Sequence, residues 1–211
     1  MGHLPIDNSD VPIRLFKSDF LEFFSHISPI TVMVIWLPVI IFFFVRSILI
    51  RPADGLLWHI PAGFLIGLFL WTLTEYTLHR FLFHYQAKTA RGQRITFLFH
   101  GVHHAQPQCK TRLVMPPVVS IPLAVLMYGL FYLIIVVLLK IPYWINPLFS
   151  AFLTGYLIYD LSHYAQHHFP MRKGYARYIK RYHMQHHYKT PNQRFGVSSP
   201  LWDYVFGTHP N

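Results

Sequence analysis

Four long uncharged stretches divide this chain. Ile27–Val45 runs for 19 residues, Gly55–Thr74 for 20, Leu113–Leu139 for 27 and Ile141–Tyr159 for 19. A helix needs about 20 mostly apolar residues to cross a bilayer. The pattern therefore predicts about four transmembrane helices, paired as hairpins over 27–74 and 113–159. The third run opens on Leu113-Val114-Met115-Pro116-Pro117, so its helix should begin several residues in. Pro142, Asn146 and Pro147 make the fourth the weakest. Three polar segments remain, 1–26, 75–112 and 160–211. The expected fold class is an all-α integral membrane protein with a single domain.

Composition agrees with that class. Of 211 residues, 53% are hydrophobic and only 12% charged, too apolar for an ordinary soluble domain. No cleavable signal peptide is expected, because Asp7, Asp10, Asp19 and Glu22 precede the first apolar run where a signal would be basic. The lone Cys109 excludes an intramolecular disulfide.

Charge orients the spans. Segment 75–112 carries Arg80, Lys88, Arg91, Arg94, Lys110 and Arg112. Segment 160–211 carries Arg172, Lys173, Arg177, Lys180, Arg181, Lys189 and Arg194. The 46–54 connection has Arg46 and Arg51, and the last has Lys140 alone. The positive-inside bias puts both rich segments, and with four spans both termini, in the cytoplasm. The net charge of +10 suits anionic lipid headgroups. Nucleic acid is not an expected partner, because the basic residues interleave with histidines and adjoin the spans.

Those histidines carry the candidate chemistry. Ten fall into four clusters: His79 and His84; His100, His103 and His104; His163 and His167; His183, His186 and His187. Neutral imidazole is the commonest protein metal ligand. On a helix, residues three and four apart share a face, so His163 and His167 can serve one ion. Adjacent residues differ by about 100° around the helix. His103 and His104, like His186 and His187, therefore point to different ions, which argues for two metals. His79 and His84 are five apart and fit one α-helical face poorly, so a helix end or local unwinding is expected there. Ten nitrogens give about five per metal, with room for water or dioxygen. That favours iron and redox chemistry over four-coordinate structural zinc. Sequence alone does not separate iron from zinc, and zinc binds such sites more tightly than ferrous iron.

The order H-x4-H, H-x2-H-H, H-x3-H, H-x2-H-H resembles the fatty acid hydroxylase superfamily of membrane di-metal enzymes. Three further stretches bring it nearest to the fatty acid 2-hydroxylases of sphingolipid metabolism. They are Glu75-Tyr76 leading into His79–His84, Arg112–Pro117, and Phe195–Asp203. Arg14–Phe20 is similar to the segment ahead of the first span in plant-type members. The resemblance implies a single fatty acid hydroxylase domain with a cytoplasmic histidine-rich helical cap over the membrane helices, holding a dinuclear iron centre. It implies that all ten histidines are ligands, with His79, His84, His100, His104 and His186 on one metal. The other would take His103, His163, His167, His183 and His187. His168 falls outside the family pattern and reads as a surface or outer residue. His3, His26, His59 and His209 are not expected to be ligands.

The implied reaction is dioxygen-dependent hydroxylation at carbon 2 of a fatty acid, or of the N-acyl chain of a ceramide or sphingolipid. Many members carry a fused haem domain. The 26 residues before the first span leave no room for one, so a separate electron donor is expected, such as a b-type cytochrome with its reductase. The location would be the endoplasmic reticulum in a eukaryote, the inner membrane in a bacterium. Beyond the metal ligands no catalytic residue is expected. Glu75, four residues before His79, and Asp160, three before His163, are candidate acceptors one turn behind those ligands, and Asp203 is another, since metal-bound histidines donate their other nitrogen outward. Tyr156, Tyr159, Tyr164 and Trp202 are candidates to line the substrate entry. Two rival readings remain. One is a sterol or carotenoid desaturase or hydroxylase of the same superfamily, which lipid analysis separates. The other is a non-catalytic membrane metal-binding protein, whose ligands should lie within the spans.

Overall fold

A computed structural model describes residues 6–50, 52, 55 and 57–210. His3 and Arg51 lie outside the described residues. Among those described, regular structure is entirely helical. Helix α1 is Asp19–Phe23 and α2 is Pro29–Leu49. Helix α3, His59–Thr77, continues as a π-helix over Leu78–Phe83. Helix α4, Ala90–Thr96, runs through a π-helical turn at Phe97–Gly101 into α5, Val102–Ala105. Helix α6, Pro117–Phe131, ends in a π-helix over Tyr132–Leu138. Helices α7, Ile145–His168, α8, Gly174–Tyr188, and α9, Leu201–Val205, complete the chain.

Two helical stretches, Pro29–Leu49 and Pro117–Leu138, are long and apolar enough to cross a membrane. As the double proline predicts, the second starts at Pro117, where a missing N–H costs nothing. Both stretches turn large apolar side chains outward: Ile30, Val34 and Ile41 on α2, and Val118, Val125 and Leu126 on α6. So much exposed apolar surface is costly in water, which points to membrane association. The second and fourth expected spans fall in α3 and α7, which do not meet that test of apolarity. Their C-terminal portions carry Glu75, Asp160, His163 and His167.

The chain folds as two compact units. One comprises 30–71 with 115–158; the other joins the N-terminal segment through Pro29 to 72–114 and 159–211. In the first, small residues let helices approach closely. A Cβ on Gly67 would stand 2.2 Å from the Leu148 carbonyl oxygen, and one on Gly155 2.6 Å from Trp71. The Trp36 and Trp71 rings meet Tyr156 edge-on at 5.4 and 5.5 Å. Those three side chains, with Met115, Ser120 and Leu123, line a narrow apolar crevice.

The second unit holds all ten clustered histidines. Its N-terminal strap is tied down by polar side chains, of which Gln106 and Arg112 are buried. Gln106, two residues past His104, donates to Asp7 Oδ2 (3.0 Å) and the Val11 carbonyl (2.9 Å) and accepts from Ile13 N (2.9 Å). Arg112 Nη2 donates to Glu22 Oε1 at 2.5 Å and His26 Nε2 at 3.1 Å. Lys110 pairs with Asp10 at 2.7 Å.

Candidate metal centre

Local helix geometry explains how each histidine arrives. In the π-helix over Leu78–Phe83 the amide of His84 donates to the His79 carbonyl, five residues back, at 3.1 Å. That i→i+5 ladder puts residues five apart on one face. The expected unwinding is therefore a π-turn with His84 at its C-terminal cap, and the awkward H-x4-H spacing becomes a shared face. His100 sits in the second π-helical turn, with His103 and His104 just beyond in α5. His163 and His167 lie near the end of α7, and His183, His186 and His187 on the buried face of α8.

The ten converge in two sets. His79, His84, His100, His104 and His186 form one, and His103, His163, His167, His183 and His187 the other. Within each set, one ring nitrogen per residue lies within 4.8 Å of all the others. In the first set, Nε2 atoms step from His186 to His84 (3.1 Å), His79 (3.2 Å), His100 (3.1 Å) and His104 (3.0 Å). In the second, His103, His187, His183 and His167 follow at 3.0 Å each. His163 packs its ring 4.6 Å from those of His103 and His183. An ion with ligands at about 2.1 Å sets right-angle neighbours about 3.0 Å apart and tetrahedral ones about 3.4 Å apart. The observed steps match right-angle edges, so each set fits a five-coordinate ion better than a tetrahedral one. Adjacent His103 and His104 go to different sets, as do His186 and His187. Across the two sets the His104 and His187 rings stack at 4.2 Å.

Burial sets the protonation state. It pushes the His79 imidazole down to about 4 and His104 and His167 to about 3. His100, His103, His163, His183, His186 and His187 are held well below the ordinary value, with neighbouring imidazoles adding to the effect. All are neutral near pH 7, the form that donates a lone pair to a metal.

Behind the first set runs the segment Gln193–Ser198. His79 Nδ1 donates to the Phe195 carbonyl at 2.5 Å and His186 Nδ1 to the Gln193 carbonyl at 2.6 Å. Gln166 Nε2 donates to the Val197 carbonyl at 3.0 Å. The amides of the same segment point the other way. Asp203 accepts from Phe195 N and Gly196 N, each at 2.8 Å, and from the Thr208 hydroxyl at 2.7 Å. Glu75 accepts from Val197 N at 2.7 Å, Ser198 N at 2.8 Å and the Ser198 hydroxyl at 2.5 Å. Four consecutive backbone amides are thus held by two buried carboxylates. The acceptor facing His79 Nδ1 is a carbonyl; Asp203 holds the amide of the same peptide unit, Gly196 N, and Glu75 the next two amides. Asp160 is buried, but neither ring nitrogen of His163 has a hydrogen-bond partner, so the expected bond between them is absent.

The expected substrate-lining aromatics have separate neighbours. Tyr156 belongs to the Trp36–Trp71 cluster, and Tyr159 stacks on His163 at 5.8 Å. Tyr164 lies against His168 at 4.5 Å, and Trp202 Nε1 donates to the Thr72 hydroxyl at 3.0 Å. His26 binds Arg112, His59 packs edge-on to Tyr143, and His209 stacks on Tyr204; none joins either set. Gln106 and Gln166 escaped the sequence reading, because a lone glutamine has no ligand spacing to betray it.

A helical protein with two buried five-histidine sets suited to a pair of metal ions is the class these features define. Residues 64–208 match the fatty acid hydroxylase family, and the chain belongs to that family, whose members are oxidoreductases. It is 37% identical over 208 residues to dihydroceramide fatty acyl 2-hydroxylase FAH1 of Arabidopsis thaliana, covering 99% of this chain and 84% of that one. It is 34% identical to the fatty acid 2-hydroxylase of Homo sapiens, covering 98% of this chain and 58% of the other. A solved structure of full-length scs7p, in which the hydroxylase domain alone is visible, superposes with a TM-score of 0.81 at 37% identity. It covers 92% of this chain and 70% of that one.

Proposed function

We propose that this chain is a fatty acid 2-hydroxylase acting on a fatty acid or the N-acyl chain of a ceramide, with the ten clustered histidines as ligands of two iron ions. The observation that carries the reading is the gathering of ten buried imidazoles into two five-membered sets in a member of a hydroxylase family. Iron bound there would supply dioxygen activation and removal of hydrogen from carbon 2. Zinc would fill the same nitrogens without that redox chemistry. The residues themselves hold the ions, fix the imidazole tautomers and keep the site dry.

The balance of the reaction sets the partners. One oxygen atom enters the C–H bond and the other leaves as water, which consumes two electrons and two protons. A separate electron donor, such as a b-type cytochrome with its reductase, supplies the electrons. The outward apolar faces of α2 and α6 support a membrane-spanning body. Four spans rest on the uncharged runs, and a cytoplasmic histidine cap with cytoplasmic termini on the charge pattern, with the endoplasmic reticulum as the site in a eukaryote and the inner membrane in a bacterium. The crevice beside Trp36, Trp71 and Tyr156 is a candidate seat for part of an acyl chain.

The test is expression in a sphingolipid-making host that lacks its own 2-hydroxylase, under isotopically heavy dioxygen. Heavy oxygen at carbon 2 of acyl chains, absent from a His103→Ala control, is the expected result. Metal-loaded, reductant-supplied protein that makes no 2-hydroxy lipid overturns the substrate assignment.

A further inference from the structure

Only one of the two histidine sets is braced from behind by the segment Gln193–Ser198. In the first set, His79 and His186 each donate Nδ1–H to a carbonyl of that segment, and Glu75 and Asp203 pin the segment's amides. In the second set, the Pro107 carbonyl faces His167, but Nδ1 of His103, His163, His183 and His187 is buried with no protein acceptor among the described residues. A histidine that ligates through Nε2 must carry its proton on Nδ1. With an acceptor there, the tautomer and ring orientation are set in advance and Nε2 is the stronger donor. Without one, metal binding fixes a buried N–H that has no protein acceptor and a ring whose aim is not set in advance.

We infer that the two metal positions are unequal in affinity. The His79 set is the tight position and the His103 set the weaker, more exchangeable one. Glu75 and Asp203 are positioning residues for the tight position alone, acting through the loop that carries the Phe195 carbonyl, whose peptide amide, Gly196 N, Asp203 holds. This rests on the ligand reading above but not on the identity of the substrate.

The experiment is a titration of the metal-free chain in detergent with Zn2+ against a competing chromophoric chelator. Two phases of one equivalent each are expected, the first at least tenfold tighter. His84→Ala should weaken only the tight phase and His163→Ala only the weak one. Asp203→Asn should weaken the tight phase by about ten- to a hundredfold, the usual effect of losing an outer partner, and leave the weak phase in place. Ser198→Ala removes only the hydroxyl donor to Glu75 and guards against misfolding of the Asp203 variant; it should act on the same phase to a smaller extent. Equal affinities in the parent protein, or an Asp203→Asn effect spread evenly over both phases, overturn the inference. No zinc binding at all would instead remove the ligand reading. Two unequal phases without any 2-hydroxy product would leave the inference standing and remove only the substrate assignment.

Discussion

His79 Nδ1 lies 2.5 Å from the carbonyl oxygen of Phe195, a residue 116 positions further along the chain. The bond joins a residue of the first histidine cluster to a loop that contains no histidine. The loop's shape therefore governs the aim of an imidazole it does not supply.

Gly196 is where that loop is most vulnerable. A Cβ at this position would stand 2.0 Å from the Ser199 carbonyl oxygen and 3.0 Å from Asp203 Oδ2. Backbone at that distance cannot give way without moving the loop. Gly196→Ala should lower stability by about 1–3 kcal/mol, the usual cost of overpacking, and displace both carbonyl acceptors. Thermal denaturation in detergent and metal content per chain, by elemental analysis, check this. Parental values for both would mean that the loop does not brace the site.

Single-ligand variants test the two sets themselves. His103→Ala and His187→Ala each remove a nitrogen from the second set. Both should lower metal content and abolish turnover, while helical content by circular dichroism stays near that of the parent. Full hydroxylation by either purified variant would end the assignment of that residue as a ligand.

How much of this was legible in the sequence follows from where the information resides. Apolar runs and the splay of neighbouring residues are properties of side-chain order. The helices Pro29–Leu49 and Pro117–Leu138 and the division of His103 from His104 could therefore be read directly. The common face of His79 and His84 could not, because it depends on a π-turn that residue spacing alone does not distinguish from unwinding. Glu75 and Asp203 were singled out as acceptors behind the ligands, but the partners the structure gives them include the backbone amides of residues 195–198. Backbone groups belong to every residue type and leave no signature. The Asp160–His163 bond expected from a three-residue spacing failed for the converse reason: being one turn apart permits a contact without requiring it.

Acid should unfold the metal-free protein through these same imidazoles. Their folded pKa values lie below the unfolded value near 6.5, with His79 at about 4 and His104 and His167 at about 3. The folded state thus binds fewer protons than the unfolded state across that interval. Stability is complete above about pH 6.5 and is lost as pH falls toward 4, by about 1.4 kcal/mol per pH unit for each such histidine. The thermal midpoint of metal-free protein should be level from pH 8 to 7 and drop steeply from pH 6.5 to 5. Bound metal should hold the midpoint up until protons displace it. A midpoint independent of pH down to 5 would show that these histidines are not buried in their neutral form.

The part-buried pair Glu22–Arg112 supplies a second, separable acid response. Burial works against the Glu22 carboxylate, but the Phe16 and Leu15 amides and the Arg112 guanidinium outweigh it and hold its pKa at about 2. A carboxylate depressed in the folded state contributes stability above its unfolded value near 4.3 and loses it as pH falls toward 2. That window lies below most of the imidazole response. Arg112, with a side chain only 2% exposed, would be left without its counter-charge by Glu22→Gln, and breaking a buried pair from one side costs about 3–5 kcal/mol. The lower end is expected here, because the Glu22 side chain keeps 15% exposure, although the single amide oxygen can serve Arg112 or the Leu15 and Phe16 amides but not both. Denaturant titration at pH 7 should show a loss of about 3 kcal/mol in the variant. Between pH 4.5 and 3 the variant should lose less further stability than the parent, since it has no carboxylate left to protonate at this position. If parent and variant fell in parallel through that window, the strap would not be held by this ion pair.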